Sequence, residues 1–310
     1  MAISTIRAKI NGAWTTLTWN SGTSKYEATI AAPAITSFNV NAGHYYAVTV
    51  EATDQAGNVT TKDDTDGTLG NSLKLVVKEV TKPTITFTAP ASGGYLSSNT
   101  PTISFQLRDE TNGSGVKIST LALKVDGGTT ITNVSAGVTV STVTGGFDVS
   151  YVPQTSLTDG SHTVTIDVAD NDGNTATQAT RSFTVDTVPP ALSITTPADA
   201  TSYQNVAARS IIGVTNDATS SPVVITIKLN NVDQGAVSVD GGGNFTKSLT
   251  LANGSNTIVI KATDLAGKFT EVTRTVILDT VAPTITAITI TPNPVNVGQS
   301  YLVAVTASDA

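Results

Sequence analysis

The sequence predicts an all-β chain built as tandem sandwiches, and three observations carry that expectation. Hydrophobic residues fill 39% of the 310 positions without forming a long apolar run, so there is material for a core and no segment suited to insertion in a membrane. Only 13% of residues are charged, and Thr, Val, Ser and Gly fill much of the remainder, the usage of half-buried strands joined by tight turns. No long stretch sustains a 3.6-residue apolar period with caps at its ends.

The elements recur in a fixed order. Each copy opens at a proline followed by an alternating segment: Pro83-Thr-Ile-Thr-Phe-Thr-Ala-Pro90, Pro190-Ala-Leu-Ser-Ile-Thr-Thr-Pro197 and Pro283-Thr-Ile-Thr-Ala-Ile-Thr-Ile. A second alternating segment then ends in Asp, as Thr102–Asp109, Ser210–Asp217 and Tyr301–Asp309. The next strand is built around a lysine, Leu121-Ala-Leu-Lys124 and Ile225-Thr-Ile-Lys228, and its third example sits at the other end of the chain as Ile6-Arg-Ala-Lys9. Later comes an aromatic behind a turn, Tyr26, Phe147 and Phe245, and then a strand that runs into an acidic turn at Asp54, Asp170 and Asp264. Exit strands at Leu73–Glu79, Ser182–Asp186 and Thr275–Asp279 lead to the next boundary.

The boundary prolines are spaced by 107 and 93 residues, and the end pieces 1–82 and 283–310 add up to about one further period. Such spacings suit sandwich domains of seven or so strands and exceed solenoid repeats. The expected division is a repeat lacking its first two strands at 1–82, complete domains at 83–189 and 190–282, and the first two strands of a further repeat at 283–310. Prolines at the junctions fix φ and stiffen the chain into an elongated rod.

At the aromatic, acidic-turn and exit landmarks the segments resemble the bacterial immunoglobulin-like (Big-type) tandem repeats of surface adhesins and phage tail or virion proteins. The shared pattern is Asp-x-x-Gly-Asn, then Asp-Thr-x-x-Pro at the junction. The chain departs from it at Lys268, which stands where Asn is expected, and at the first junction, where Glu79 and Lys82 replace Asp-Thr-x-x-Pro. The resemblance implies tandem immunoglobulin-like β-sandwiches and says little about function, because this sandwich hosts many roles.

Asp-x-x-Gly-Asn is first of all a tight turn, in which Asp and Asn accept backbone hydrogen bonds and Gly supplies positive φ. A second reading comes from topology, which brings the second-to-third-strand loop, the sixth-to-seventh-strand loop and the incoming linker to one end. Asp186, Asp217 and Asp264 would then meet at one junction, and Glu79, Asp109 and Asp170 at another, with Glu110 and Asp172 nearby. Converging carboxylates suit a hard cation such as calcium; without one they repel by roughly 1 kcal/mol per close pair in high dielectric. A third set, Asp54, Asp279 and Asp309, would be completed only if one copy docks on the next.

Other chemistry is poorly provided for. There is no cysteine, hence neither disulfide nor thiolate metal site. The net charge of −7, with scattered Lys and Arg, argues against nucleic acid or anionic lipid as partner. His44 and His162 occupy the same turn in different repeats, and neither a nucleophile elbow nor a zinc motif is present, so no enzymatic role is expected. Gly241-Gly-Gly-Asn244 reads as a hairpin turn rather than a phosphate loop, since no Lys-Ser/Thr pair follows it. Trp14 and Trp19 should lie on opposite faces, one in the core and the other exposed beside Tyr45 and Tyr46, where a sugar ring could stack.

The expected function is that of a structural subunit of an extracellular fibre or virion appendage, with a second copy of itself as partner in a head-to-tail polymer or ring. Ile285, Ile288, Ile290, Leu302, Val303 and Val305 of the last two strands would be donated to the incomplete first repeat of the next copy. The first residues lack a signal peptide and already read as a strand, which suits release inside a virus particle or separation from an export signal. Alternatives are an adhesin-type module that recognises glycan or a host surface protein, and a window of a longer array.

Overall fold

The computed structural model describes residues 2–309. It divides into two compact units, residues 1–94 with 99–183, and residues 95–98 with 184–310. The first unit begins with one sheet built from β1 (Ile3–Ile10), β2 (Ala13–Asn20), β3 (Lys25–Glu27), β4 (Tyr46–Asp54), β5 (Val59–Lys62) and β6 (Lys74–Leu75). Its order is β3-β2-β1-β4-β5, with β6 also paired to β4. Asn11 and Gly12, with φ of 47° and 82°, form the two-residue turn whose twist suits the β1–β2 hairpin.

Pairing fixes which side chains share a face. Ile6 lies opposite Leu17 and Ala52, Ala8 opposite Thr15 and Val50, and Ile10 opposite Ala13 and Val48. Trp19, two residues beyond Leu17, belongs to the same apolar face. No second sheet covers it among the described residues up to 82. Ala8 is buried, whereas Ile6, Ile10, Leu17, Val48 and Val50 are half-buried and Trp19 is 56% exposed. Residues 30–33 pass over one corner, leaving a groove of about 180 Å³ lined by Ile10, Ala13, Thr15, Ile30 and Pro33.

The rest of the first unit holds the greater part of a two-layer sandwich. Its strands are β7 (Thr84–Ala89), β8 (Gly94–Leu96), β9 (Ile103–Arg108), β10 (Val116–Val125), β11 (Val138–Val143), β12 (Gly146–Tyr151), β13 (Gly160–Asp170) and β14 (Ala179–Val185). One sheet runs β11-β12-β9-β7 and the other β10-β13-β14-β8. Strict alternation along β9 and β13 turns Ile103, Phe105, Leu107, Val164, Ile166 and Val168 inward, each at most 1% exposed.

The second unit repeats this plan with β15 (Ala191–Thr196), β16 (Thr201–Gln204), β17 (Ala208–Asn216), β18 (Val224–Leu229), β19 (Val232–Asp233), β20 (Asn244–Thr250), β21 (Gly254–Thr263) and β22 (Phe269–Leu278). The sheets are β15-β17-β20 and β16-β22-β21-β18-β19. Between them pack Ile211, Ile225, Ile227, Phe245, Leu249, Ile258, Ile260 and Val276. A glycine precedes the aromatic strand in both sandwiches because the neighbouring backbone comes very close. A Cβ on Gly146 would lie 2.0 Å from the Leu107 carbonyl oxygen, and one on Gly243 would lie 1.9 Å from that of Thr215.

Beyond β22 come β23 (Thr284–Thr291) and β24 (Leu302–Ser308), a two-stranded sheet on its own. Ile288 pairs with Val305, Ile290 with Val303 and Ile285 with Ala307, across a bulge between Ile285 and Ala287. These residues make one apolar face. Leu302, expected to join them, pairs with Thr291 and falls on the opposite face with Thr289 and Ala304. Every residue of both strands is exposed, Ile285 at 62%, Ile288 at 60% and Val305 at 55%.

Three expectations for the first repeat need correction. The aromatic strand expected at Tyr26 spans three residues and pairs with β2, whereas β12 and β20 pair with the second strands β9 and β17. Among the described residues no such second strand pairs with β3, so its hydrogen bonds go to β2. Of the exit strand expected at Leu73–Glu79 only the two-residue β6 forms, pairing with the start of β4, while β5, ahead of the loop 63–73, pairs with its end. Neither tryptophan is buried. Trp14 packs its ring under the Arg7 guanidinium at 4.3 Å, and Trp19 touches Tyr26 at 5.2 Å on a face that nothing else covers.

Candidate functional site

Three acidic turns share one construction. The backbone N–H of Asp54 donates to the Asn58 carbonyl, that of Asp170 to Asn174 and that of Asp264 to Lys268, at 3.0–3.1 Å. Gly57, Gly173 and Gly267 supply positive φ of 86°, 99° and 83°. In the first two turns one carboxylate oxygen accepts backbone N–H groups while the other accepts the Asn side-chain amide, Asn58 Nδ2 to Asp54 Oδ2 at 2.9 Å and Asn174 Nδ2 to Asp170 Oδ2 at 2.8 Å. Lys268 has no such amide. Asp264 Oδ1 accepts its backbone N–H at 2.8 Å, and Oδ2 is buried without a hydrogen-bond partner.

Asp264 shares its surroundings with Asp186 and Asp217, one oxygen of each lying within 4.8 Å of the others. The linker into the second unit's sandwich brings Asp186, whose Oδ1 accepts the Val188 N–H at 3.1 Å. The loop after β17 brings Asp217, whose Oδ1 accepts the N–H groups of Thr219 and Ser220 at 2.8 and 2.7 Å. Ser220, fully buried, donates its hydroxyl to Asp186 Oδ2. No Lys, Arg or His forms an ion pair with these three carboxylates among the described residues. Burial, with the charges of Asp186 and Asp217, raises the Asp264 pKa above its ordinary value.

The first unit holds a similar group. Oxygens of Glu79, Asp109 and Asp170 lie within 4.8 Å of one another. Asp109 Oδ2 accepts the Gly115 N–H at 2.7 Å and Glu79 Oε1 accepts that of Ser114, while Glu79 Oε2 and Asp109 Oδ1 have no partner. Gly113 closes over the group: a Cβ there would lie 2.8 Å from Glu79 Oε2 and 2.9 Å from Asp109 Oδ2. Burial pushes both carboxyls up, and the neighbouring Glu110 adds to the rise at Glu79. Asp172 turns toward the first repeat instead, where its Oδ2 accepts the Thr36 hydroxyl and the Glu79 N–H. Sequence reasoning missed Ser220 and Gly113; Ser220 follows Asp217 by three residues, a spacing typical of an Asx-type turn.

The third expected set is distributed. Asp54 belongs to the first unit, and Asp279 and Asp309 to the second. Asp279 repeats the geometry of Asp186: its N–H donates to the Gln204 carbonyl as that of Asp186 does to Leu96, and its Oδ1 accepts the N–H two residues on, from Val281 at 2.9 Å.

The histidines stand apart from both clusters. His162 is buried, with Nδ1 2.7 Å from Asp126 Oδ2 and Nε2 2.7 Å from the Thr158 carbonyl. Both partners are acceptors, so both ring nitrogens must carry protons to satisfy them. Burial pulls the His162 pKa down, and these two hydrogen bonds outweigh it to leave the value raised. His44 stacks on Phe38 at 4.2 Å.

Residues 79–187 match the family model of the bacterial Ig-like domain, and residues 190–280 match that of glucodextranase, domain B. Among solved structures the chain is similar to the fibronectin(III)-like modules of Clostridium thermocellum CbhA, at 13% identity and TM-score 0.41 over 63% of this chain and 94% of that one. It is also similar to immunoglobulin domains 1–5 of Sidekick-1, at 12% identity and TM-score 0.37 over 93% of this chain and 56% of that one. No curated protein matches the sequence. Among the described residues no helix is long and apolar enough to cross a membrane.

Proposed function

Since the chain carries a bacterial Ig-like domain over residues 79–187, we propose that it serves as a non-enzymatic structural module of an extracellular fibre or virion appendage, joined copy to copy by strand donation. The apolar face of the β23–β24 hairpin covers the open face of β1, β2 and β4 in a second copy. One observation carries this reading: both faces are apolar and uncovered, and they are the two halves that each sandwich brings together. In the second unit, β15 and β17 present Ile194 and Ile211 to a core that also holds Ile225 and Ile227 of β18 and Ile258 and Ile260 of β21. In the first repeat, β1 and β4 occupy the places of β18 and β21 with the same antiparallel pairing, but among the described residues up to 82 no strands stand in for β15 and β17.

Donation places five apolar side chains of the hairpin, Ile285, Ile288, Ile290, Val303 and Val305, against Ile6, Leu17, Trp19, Val48 and Val50. It also supplies a second strand for β3 to pair with, and brings Asp279 and Asp309 of one copy toward Asp54 of the next. A face repeating head to tail is heterologous, so the product is an open filament or a closed ring. Light scattering of the full chain over a concentration series tests this, with particle mass expected to grow with concentration. A chain that remains monomeric throughout while peptide 283–310 fails to raise its melting temperature refutes it. A monomeric chain whose first repeat is stabilised by the peptide would instead assign the open face to a neighbouring repeat of a longer polypeptide.

A further inference from the structure

We infer that strand donation, on which this inference rests, carries a third strand: residues 294–297 of the donor pair in parallel with residues 75–78 of the next copy. Both sandwiches fill that place from within. After its first strand the chain crosses to the opposite sheet, where β8 lies beside β14 and β16 runs parallel to β22. The crossing segment is tied to the exit of its sandwich. The Asp186 N–H donates to the Leu96 carbonyl at 2.9 Å, and the Asp279 N–H donates to the Gln204 carbonyl at 3.0 Å.

In the first repeat the same edge is open. Leu75 pairs with Tyr46, and two residues on, the Val77 N–H and carbonyl are both engaged by Ser37, whose hydroxyl also donates to the His44 carbonyl. The backbone groups of Leu75 and Val77 therefore face the β4 side, and strand alternation turns those of Val76 and Lys78 the other way. Among the described residues no hydrogen bond reaches the backbone N–H or carbonyl of Val76 or Lys78. Val76 is 58% exposed. A free backbone edge of this kind is a template for one more strand.

The donor has the matching parts. Leu96 precedes Ile103, and Gln204 precedes Ile211, by seven residues, and each isoleucine lies six before the Asp that ends its segment. Val303 stands six before Asp309, and the residue seven before Val303 is Asn296. Asn296 thus takes the part of Leu96 and Gln204. Its carbonyl accepts the Lys78 N–H, its N–H donates to the Val76 carbonyl, and the Pro294 carbonyl accepts the Val76 N–H. Among the described residues the Asn296 N–H is unengaged, and its carbonyl, which accepts the Gln299 N–H at 3.0 Å, keeps a second lone pair. Pro294 offers no N–H, and none is needed: at its counterpart Gly94 the N–H turns back to the Ala91 carbonyl at 3.1 Å. Apolar cover alone leaves the hairpin free to slide, whereas this pairing fixes its register on the acceptor.

The test uses the full chain carrying Ile288→Asp, whose own hairpin is barred from docking, as acceptor for two synthetic donors. One is peptide 283–310. In the other, residues 292–301 are replaced by Asn-Gly, which closes Thr291 onto Leu302 and keeps the whole apolar face. Binding is read by titration calorimetry and melting temperature, and hydrogen exchange of the Val76 and Lys78 amides by NMR. Peptide 283–310 is expected to slow exchange at both amides. The shortened peptide should leave both at their free rates and bind about tenfold or more weakly, having lost three backbone hydrogen bonds. If peptide 283–310 binds but protects neither amide, or if the two peptides match in affinity or in protection, the third strand is overturned and donation of the hairpin stands. If neither peptide binds, donation fails and the third strand with it.

Discussion

Replacing Ile288 by Asp should abolish copy-to-copy association, whereas replacing its neighbour Thr289 by Asp should leave association unchanged. The two residues are adjacent and exposed on one strand, but Ile288 pairs with Val305 on the apolar face and Thr289 pairs with Ala304 on the other. The five apolar side chains of the donated face are 62%, 60%, 46%, 49% and 55% exposed, equivalent to between two and three fully exposed ones. At ~1.5–3 kcal/mol for each fully buried side chain, covering them contributes about 4–8 kcal/mol. The acceptor face adds a few kcal/mol more, chiefly through Trp19, since Ile6, Leu17, Val48 and Val50 are already half-buried. Association entropy and side-chain ordering consume several kcal/mol, and the hairpin limits that cost because its strands are already paired. Ile288→Asp removes one apolar contact and forces a carboxylate into an unpaired interior position, so a loss of about 3 kcal/mol or more, at least a hundredfold in affinity, is expected. Sedimentation velocity of the three chains over a concentration series reads this directly. Equal association by the Ile288→Asp chain and the parent, or equal loss by both variants, would refute the proposed face.

Three further outcomes follow from the geometry. His162 has a raised pKa, so the stability it contributes with Asp126 is fully present below its unfolded value of about 6.5 and is lost as pH rises through the folded value. Thermal unfolding of the parent should therefore lose stability across that window more steeply than Asp126→Asn, and identical pH profiles would exclude the pair as the cause. Gly243→Ala should destabilise the second unit by about 2–4 kcal/mol, because φ is +81° and the new Cβ meets the Thr215 carbonyl oxygen, whereas Gly241→Ala, with open space around it, should stay within about 0.5 kcal/mol of the parent in urea unfolding. Ile227→Ala, in the fully buried core of the same unit, should cost about 2–5 kcal/mol in the same measurement.

Much of this molecule was legible in the chain because its information is local. Alternation along Thr102–Asp109 or Ile258–Lys261 sets which side chains face inward whatever the partner strand is. Asp-x-x-Gly sets a turn through one carboxylate and one positive φ, and Asn11-Gly12, Asp126-Gly127 and Asn230-Asn231 mark one hairpin in each copy. The order of these signals was enough to align the repeats and to bring Asp186, Asp217 and Asp264 to one end. What tertiary structure decided are matters of partner and phase. A strand's sequence does not name its neighbour, so β3 pairs with β2 instead of a second strand, and of the first repeat's expected exit strand only β6 forms. A single bulged residue reverses phase: Ile285 and Ile288, three apart, share a face only because the register shifts between Ile285 and Ala287, while Leu302, next to Val303, is turned away from it. The sequence also shows Lys268 where its sister turns have Asn, but a missing amide has a consequence only where the oxygen it would have capped is sealed from water, and burial of Asp264 Oδ2 is a property of three segments brought together from positions 186, 217 and 264.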